Sequence, residues 1–524
     1  MTQAGLQDQQ QLIAALLNPQ HYPHPAKTVR LIETHISWIL LAGRYAYKIK
    51  KALDLGFLDT TTLESRHRDC AEEIRLNRRL APQLYLGVAA IGGSCAHPAW
   101  GSQPAIEYAV EMRRFAPKKT FERLIVRDKI EARHMDALAT MLAQFHANLP
   151  AAQTVTDKTK LHHALAQNFV QLSGLLPEAA DMEKLAALQQ ASELAYRACA
   201  QRLQQRSAQG CVRECHGDLH LGNIALIGDR PVPFDGIDFN PALRHIDVMD
   251  EAAFLFMDLL HHRRPDLAYR FLNAYLERTG DYAGVGLLNF YCAYRATVRA
   301  KVCAIRANQT GIANSVKRKA MNDCRTYLTL AAGCLAPRLP KLIITHGLPG
   351  SGKSTFAQAA LERMRAIRLR SDVERKRLFG LPALDDSRRD IYGTEATQHT
   401  YSHLLETARA LLAAGYSVIV DAAFLKHDER AMFHKLAESM RAPFAIVTLQ
   451  AGEATLRARI MQRQALANDA SEADLAVLSK LQASQERLSQ QEMRYTVMLS
   501  SEMDYESAWK ALENLWCSSP VRPT

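Results

Sequence analysis

The sequence lacks the features that mark secreted, membrane-spanning and disulfide-stapled proteins. Its ten cysteines include no C-x-x-C pair, and the nearest grouping, Cys211 and Cys215 beside His216, is a weak metal signal. We therefore interpret the cysteines as reduced, buried thiols. No apolar run approaches the ~18 residues of a membrane helix, and the first residues lack the basic start and apolar core of a signal peptide. We expect a cytoplasmic protein with no membrane partner.

What is present is an ordinary globular composition. The chain has 524 residues, of which 48% are hydrophobic and 23% charged. This length allows roughly three structural units. The net charge of +11 suits anionic partners such as nucleotides and could equally suit nucleic acid. The charge total alone does not choose between them.

Four segments differ in their predicted secondary structure. Residues 28–115 are rich in short β-type runs around one helical stretch, and residues 116–335 are mostly helical in their periodicity. Residues 341–524 alternate strands with helices, which indicates a parallel sheet. The two prolines of 334–340 predict a junction. The predicted domains are an N-terminal helical segment at 1–27, a small sheet with one helix at 28–115, a helical region at 116–335 and an α/β domain at 341–524.

The clearest motif is GLPGSGKST at 347–355, which fits G-x-x-x-x-G-K-[S/T]. A β-branched run precedes it and a helix-favouring stretch follows it, as a phosphate-binding loop requires. Its glycines let backbone N–H groups converge on a polyphosphate at a helix N-terminus. We predict binding of ATP with Mg²⁺, with Lys353 reaching the β- and γ-phosphates and Ser354 holding the metal. The predicted nucleotide-binding residues of this loop are Gly347, Leu348, Pro349, Gly350, Ser351, Gly352, Lys353, Ser354 and Thr355.

A second motif, HGDLHLGN at 216–223, places Asp218 five residues before Asn223, and Asp235 follows twelve residues later after an apolar strand. In kinase-type phosphoryl transfer, one Asp accepts the proton of the attacking hydroxyl, while an Asn and a later Asp hold Mg²⁺. We predict that Asp218 is the catalytic base and that Asn223 and Asp235 are metal ligands. Asp238 is the rival to Asp235, which we prefer because its distance from Asn223 is closer to the usual hairpin length.

This second motif resembles that of the aminoglycoside phosphotransferase and choline kinase group, which has a protein-kinase-like fold. The resemblance covers roughly residues 28–330. It implies that Lys48 in AYKIK contacts the α- and β-phosphates of ATP and that Glu73 is its helix partner, with Lys50 and Glu72 as competitors. Asp250 matches a family aspartate that braces the catalytic loop from a helix.

Two further segments of this region have counterparts in the kinase-like fold. EYAVEMRRF at 107–115 matches the hinge beside the adenine, where backbone groups read the base. The pattern departs from the family before Lys48, because the hairpin expected around Thr34 to Ser37 contains no glycine. We expect a looser cover over the phosphates at this site.

The last segment resembles the P-loop kinases related to zeta toxins, gluconate kinase and polynucleotide 5′-kinase. The resemblance implies that Asp372, just beyond a strand end, orients or deprotonates the acceptor hydroxyl, and that Asp421 is a second acid near Mg²⁺. Arg459 and Arg463 share one helix face and match lid arginines that neutralise the transferring phosphate. The alternative for each arginine is an ordinary salt-bridged helix surface.

Taken whole, the chain resembles bacterial fusions of an aminoglycoside phosphotransferase-like domain with a C-terminal P-loop kinase domain. The implied fold class is α/β and α+β, multidomain, with a two-lobed kinase-like fold followed by a parallel-sheet P-loop domain. The implied function is a bifunctional ATP-dependent phosphotransferase, each site transferring the γ-phosphate to a hydroxyl of a small molecule. Aminoglycosides are polycations, and no acidic lining for them is identifiable in this basic chain.

Two alternatives from other functional classes stay open. One is a nucleotide-gated regulatory or binding protein, which would bind ATP without substrate-dependent transfer. The other is a nucleic-acid 5′-end kinase, which the net charge favours but the lack of an aromatic-interleaved basic stripe opposes. Small hydroxylated molecules and nucleotides are therefore the expected partners, with nucleic acid as the weaker alternative.

Overall fold

The computed structural model describes residues 3–54, 59–152, 158–383, 385, 387, 391–466, 470–500 and 505–517. The outer ends of the predicted segments 1–27 and 341–524 lie outside these residues. The chain divides into two compact units, the first comprising Met1–His163 and Gln201–Asp258 and the second Ala164–Ala200 and Leu259–Thr524. The helices that follow residue 258 thus group with the C-terminal sheet, and the domain boundaries drawn from the sequence stay a prediction.

A six-stranded antiparallel sheet opens the first unit, in the order β1-β2-β3-β6-β4-β5. Its strands and two flanking helices are α1 (Gln3–Leu16), β1 (Val29–Glu33), β2 (Ser37–Ala42), β3 (Tyr45–Lys50), α2 (Leu63–Asn77), β4 (Tyr85–Gly93), β5 (Pro98–Trp100) and β6 (Ala105–Arg113).

Side-chain alternation along β3 fixes the two faces of this sheet. Tyr47 and Ile49 pack with the buried side chains of α1, whereas Cys70 and Ile74 of α2 form a second core with residues of β4 and β6. Because successive strand residues point to opposite faces, Lys48 and Lys50 are directed towards α2. The strand therefore presents both lysines on the face that carries the acids of α2.

Between this sheet and the P-loop the chain is mostly helical, with four short strands. Its elements are α3 (Phe121–Ile125), α4 (Ala132–Asn148), α5 (Lys158–Ser173), α6 (Ala179–Ala208), β7 (Val212–Glu214), β8 (Ile224–Ile227), β9 (Arg230–Pro233), β10 (His245–Asp247), α7 (Val248–His261), α8 (Pro265–Thr279), α9 (Val285–Ala307) and α10 (Asn314–Leu335). The HGDLHLGN loop lies between β7 and β8, and β8 and β9 form a hairpin that leads to Asp235. No helix in the described ranges combines the length and the hydropathy needed to cross a membrane.

A five-stranded parallel sheet in the order β12-β13-β11-β14-β15 forms the core of the second unit's C-terminal part. Its central strands are buried along nearly their whole length, as expected for a parallel sheet covered on both faces. The elements are β11 (Leu342–His346), α11 (Lys353–Met364), β12 (Ala366–Arg370), α12 (Ser371–Leu378), α13 (Thr394–Ala413), β13 (Ser417–Asp421), α14 (His427–Ser439), β14 (Phe444–Gln450), α15 (Glu453–Leu466), α16 (Leu475–Ser484), α17 (Gln490–Met493), β15 (Thr496–Ser500) and α18 (Tyr505–Cys517).

Two candidate phosphotransfer sites

The loop after β7 brings Asp218 and Asn223 into contact. Asn223 Nδ2 donates a hydrogen bond to the Asp218 carboxylate at 2.9 Å and another to the Asp218 carbonyl oxygen at 3.0 Å. His216 Nε2 lies 3.0 Å from the Phe234 carbonyl oxygen, which ties the loop to the residue before Asp235. Burial lowers the pKa of His216, which favours its neutral form. The predicted base and the predicted amide ligand thus lie in one hydrogen-bonded loop.

Two carboxylates of α7 hold this loop in place. Glu251 accepts the Gly217 N–H at 2.7 Å and lies 2.8 Å from His146 Nε2, and Asp258 accepts the Leu221 N–H at 2.9 Å. Gly217 has φ 85°, and a Cβ there would lie 2.9 Å from the Leu243 carbonyl oxygen. The loop therefore needs glycine at this position, and the two carboxylates satisfy two of its backbone N–H groups.

The family resemblance implies a brace at Asp250, which stays a prediction, whereas Glu251 and Asp258 were not predicted from the sequence. Asp250 is also buried, one residue before Glu251. The sequence does contain a signal for the two carboxylates, because acids seven residues apart in a mostly apolar helix lie on one face. Acids at such positions are costly to bury unless they have partners.

Lys48 and Lys50 share Glu73 as a partner. Lys48 Nζ lies 2.9 Å from Glu73 Oε1 and 2.8 Å from Asp235 Oδ1, whereas Lys50 Nζ lies 2.6 Å from Glu73 Oε2 and also pairs with Asp238. Burial opposes the charge on Glu73, but the two lysines outweigh it and lower its pKa to about 2. The same acids hold the pKa of Lys48 above its ordinary range despite burial.

The two lysine–acid pairs differ in their access to solvent. The Asp235 side chain is 49% exposed, whereas that of Asp238 is 6% exposed. Burial raises the pKa of Asp238 to about 6. Glu72, the competitor to Glu73, instead pairs with Arg75 and lies outside this cluster. The accessible pair is thus Lys48 and Asp235, and the enclosed pair is Lys50 and Asp238.

The hairpin that precedes β3 is closed by a side chain. Thr34 Oγ1 accepts the Ser37 N–H and donates to the Ser37 carbonyl oxygen, both at 2.9 Å. The expected hairpin without glycine therefore lies between β1 and β2. The segment matched to the hinge, 107–115, lies mainly in β6.

The second site begins with the P-loop between β11 and α11. Gly347, Gly350 and Gly352 have φ values of 146°, 81° and 99°. A Cβ would lie 2.5 Å from the Leu449 carbonyl oxygen at Gly347 and 2.9 Å from the Leu456 carbonyl oxygen at Gly350. Only glycine fits these two positions, and their backbone forms the cradle that a polyphosphate needs.

Lys353 is the first residue of α11, and its ammonium group turns back over the loop. Its Nζ donates to the Leu348 carbonyl oxygen at 2.8 Å, and burial lowers its pKa to about 8. Beside the loop lies a cavity of about 560 Å³ that His346 and Ser351 help to line. Within the described residues, His346 Nε2 and Ser351 Oγ are buried without hydrogen-bond partners.

Asp421 ends β13 next to the P-loop serine. Burial raises the pKa of the Asp421 carboxyl, although the nearby side chains of Arg368, Arg370, Lys353 and Ser354 oppose this rise. No group among the described residues hydrogen-bonds to its Oδ2. A buried carboxylate oxygen left open beside a serine hydroxyl fits the oxygen ligands that Mg²⁺ prefers. Asp372 lies in the first turn of α12, directly after the neighbouring strand β12.

The two arginines of α15 have different contacts. Arg459 Nη1 donates to the Gly350 carbonyl oxygen at 3.2 Å, so this side chain reaches the P-loop. Arg463 Nη2 donates to the Ala473 carbonyl oxygen at 2.8 Å, just before α16. Asp474 caps α16 by accepting the Val477 N–H at 2.7 Å. Arg459 therefore borders the phosphate cradle, and Arg463 connects the two helices.

Comparison with known proteins agrees with this division of chemistry. The model of the Phosphotransferase enzyme family matches residues 60–288, and that of an AAA domain matches residues 342–488. The uncharacterized protein Rv2004c of Mycobacterium tuberculosis (strain ATCC 25618 / H37Rv) is 31% identical over 460 residues, which are 86% of this chain and 89% of that protein. The chain belongs to the same family. The uncharacterized protein Mb2027c of Mycobacterium bovis matches with the same identity and coverage.

This family joins an aminoglycoside phosphotransferase-like domain of protein-kinase-like fold to a P-loop kinase domain, as the sequence predicted. The predicted fold class is confirmed, and the chain is a kinase, an enzyme that transfers phosphate. Its match to the mycobacterial proteins extends across both domains.

Two solved structures illustrate weaker similarities. A choline/ethanolamine kinase family protein from Mesorhizobium loti covers 63% of this chain and 99% of its own, with 12% identity and a TM-score of 0.37. A gluconokinase from Sinorhizobium meliloti 1021 covers 34% of this chain and 93% of its own, with 23% identity and a TM-score of 0.25.

Proposed function

We propose that this protein is a bifunctional ATP-dependent phosphotransferase whose two sites each transfer the γ-phosphate to a hydroxyl of a small molecule. One observation carries the proposal. Each compact unit contains its own set of phosphotransfer groups, with Asp218, Asn223 and the Lys48–Glu73 pair in the first and Lys353, Ser354 and Asp421 in the second. A chain with a single activity needs only one such set.

In the first site, Asp218 accepts the proton of the acceptor hydroxyl, and Asn223 holds its carboxylate in position. Lys48, fixed by Glu73, contacts the α- and β-phosphates of ATP. Asn223 and Asp235 supply oxygen ligands for Mg²⁺, and the half-exposed Asp235 suits this role better than the enclosed Asp238. When bound, Mg²⁺ would neutralise phosphate charge at this site. At the second site, the open Oδ2 of Asp421 offers a ligand atom for the same metal.

In the second site, the backbone N–H groups of 347–355 and Lys353 hold the phosphates at the start of α11. Ser354 and Asp421 hold the metal, and Asp372 orients or deprotonates the acceptor hydroxyl. Arg459, already at the Gly350 carbonyl, contributes positive charge to the transferring phosphate. Arg463 joins it from the same helix. These groups act by positioning and charge neutralisation, which dominate catalysis of phosphoryl transfer.

A second candidate function, nucleotide-gated regulation by the first site, has two observations in its favour. Lys48 already pairs with Asp235, the acid proposed for the metal, and the hairpin over the phosphates contains no glycine. A site of this kind could bind nucleotide and stabilise one conformation without transferring phosphate.

Acceptor-dependent ATP consumption distinguishes these functions. Purified protein with Mg²⁺ is tested against sugars, amino alcohols, aminoglycosides, nucleosides and 5′-hydroxyl oligonucleotides, in parallel with Asp218→Ala and Lys353→Ala. The proposal predicts one acceptor class that is lost only in Asp218→Ala and another that is lost only in Lys353→Ala. ATP binding without any acceptor-stimulated turnover at the first site would support regulation instead, and oligonucleotide turnover would support an end kinase.

A further inference from the structure

A buried chain of ion pairs connects α8 to the edge of the P-loop site. Glu277 Oε1 accepts hydrogen bonds from Arg368 at 3.0 Å (Nε) and 2.5 Å (Nη2), and Glu277 Oε2 lies 3.7 Å from Arg370 Nη1. The side chains of all three residues are at most 17% exposed. All three belong to the second compact unit. One carboxylate of α8 therefore faces two arginines of β12.

Both arginines also border the residues proposed to hold the metal. Arg368 Nη1 donates to the backbone carbonyl oxygen of Ser354 at 3.4 Å. Arg370 is the neighbour of Asp421 across the parallel strands β12 and β13, and its Nε lies 4.0 Å from Asp421 Oδ2. This oxygen is the one left without a hydrogen-bond partner among the described residues.

An arginine this close to Asp421 can compete with Mg²⁺ for the same oxygen. A guanidinium group readily forms short, charge-assisted hydrogen bonds with a carboxylate, and a low-dielectric surrounding strengthens them. At 4.0 Å the Arg370–Asp421 pair stops short of such a bond, while Glu277 contacts both arginines. Without the Glu277 charge, Arg370 would keep the Asp421 carboxylate at 4.0 Å and lose a competing carboxylate at 3.7 Å.

We propose that Glu277 is a positioning residue of the P-loop site, which holds Arg368 and Arg370 so that Asp421 Oδ2 stays open to Mg²⁺. The inference rests on the kinase function proposed for this site. Glu277 lies in sequence among the helices of the kinase-like region, more than sixty residues before the P-loop. The P-loop site therefore includes a residue that lies outside the domain predicted for it from the sequence, residues 341–524.

The position of α8 does not depend on the Glu277 charge alone. Asn273 donates to the Ala366 carbonyl oxygen at 3.0 Å and accepts the Arg368 N–H at 2.7 Å. Arg270 pairs with Glu362 of α11 at 2.9 Å. These contacts register α8 against β12 and α11. Neutralising Glu277 should therefore change the positions of the Arg368 and Arg370 side chains and leave α8 in place.

The test is the Mg²⁺ dependence of binding of a fluorescent ADP analogue to the full-length protein. The P-loop component of binding is the part that is lost in Lys353→Ala. For Glu277→Gln, we expect the Mg²⁺ concentration that gives half-maximal binding of this component to rise at least fivefold, with binding in the absence of Mg²⁺ unchanged. Glu362→Gln, which breaks the ion pair between Arg270 of α8 and Glu362 of α11, is the matched control and should leave the Mg²⁺ dependence unchanged.

A second substitution separates positioning from a general structural effect. In Glu277→Gln/Arg370→Gln, the competing charge is removed, and the Mg²⁺ dependence should return towards that of the wild type. Glu277→Asp keeps the charge, should give an intermediate shift, and replaces the Gln variant if thermal denaturation shows that the latter is unfolded. An unchanged Mg²⁺ dependence in Glu277→Gln, or no recovery in the double variant, would overturn the inference. Full nucleotide binding by Lys353→Ala would instead overturn the function proposed for the P-loop.

Discussion

The ammonium group of Lys48 lies 2.8 Å from the Asp235 carboxylate, within hydrogen-bonding distance, while Glu73 contacts the same ammonium group at 2.9 Å. The cation proposed for the phosphates is therefore paired with the acid proposed for the metal. In the first site as proposed, Mg²⁺ and Lys48 therefore share the Asp235 carboxylate. Burial opposes the charge on Glu73, but the two lysines outweigh it and lower its pKa to about 2. The charged Glu73 carboxylate therefore holds Lys48 in place.

Substitution of the two rival acids should separate catalysis from stability. Asp235→Asn removes a half-exposed ligand, and we expect first-site turnover to fall roughly 10²-fold or more with little change in stability. Asp238→Asn removes one partner of the buried Lys50 and should lower the free energy of unfolding by about 3 kcal/mol. Acceptor-dependent turnover and urea denaturation of both variants measure these effects. The reverse pattern would assign the metal to Asp238.

The Glu251–Gly217 hydrogen bond should be needed for the first site alone. Glu251→Leu leaves the buried Gly217 N–H without its acceptor, at a cost of about 1–3 kcal/mol. We expect first-site turnover to fall while P-loop turnover is retained. Glu251→Gln keeps an acceptor oxygen for Gly217 and should recover part of the loss. Equal loss of both activities in the leucine variant would show a global effect and contradict this role.

Arg459 and Arg457 form a matched pair on α15. Arg459 contacts the P-loop carbonyl of Gly350, whereas Arg457 pairs with Glu453 on the exposed side of the same helix. Arg459→Ala should lower the turnover number of the P-loop site roughly 10²-fold or more, because it removes positive charge from the transferring phosphate. Arg457→Ala should leave this turnover number unchanged. Similar kinetics for the two variants would favour the interpretation of Arg459 as an ordinary surface residue.

The ionised Glu214 carboxylate should raise the free energy of unfolding of the first unit at neutral pH. Burial favours protonation of this carboxyl, but hydrogen bonds from Arg75 and Arg244 outweigh it and lower its pKa to about 2. A carboxyl whose folded pKa is below the unfolded value of about 4.3 stabilises the fold above that pH and loses this effect as the pH falls towards 2.

The matching variant is Glu214→Gln. Because the arginine cluster is partly exposed, we expect a loss on the order of 1 kcal/mol at neutral pH. The difference between wild type and variant should shrink as the pH is lowered through 4 towards 2. Urea unfolding at several pH values measures it, and a difference that grows on acidification would contradict this linkage.

The motif-bearing loops could be predicted from sequence because their chemistry depends on local spacing. Asp218 and Asn223 lie five residues apart and form a hydrogen bond within one loop. The P-loop glycines adopt positive φ angles, which the local turn of the backbone requires. The strand before the P-loop and the helix after it could likewise be predicted, from a β-branched run and a helix-favouring stretch. The strand end expected just before Asp372 matches the end of β12, whereas β15 was not predicted, because its apolar run is only three residues long.

The contacts that support these loops could not be predicted, because they join residues far apart in the chain. Glu251 reaches Gly217 across 34 residues, and Arg368 reaches Glu277 across 91. Such pairings follow from how helices pack, and a buried acid in an apolar helix indicates only that some partner exists. The sequence also offered Lys48 and Lys50 as competitors, whereas the fold gives both of them the same carboxylate.

The most direct test of two independent sites is acceptor-stimulated ATP consumption by the wild type, Asp218→Ala, Lys353→Ala and the double variant, with thermal denaturation to confirm that each is folded. We predict that each single variant loses one acceptor class and keeps the other at wild-type turnover, and that the double variant loses both. If both folded single variants keep the full turnover of every acceptor, or if either one abolishes all turnover, two independent phosphotransfer sites are contradicted.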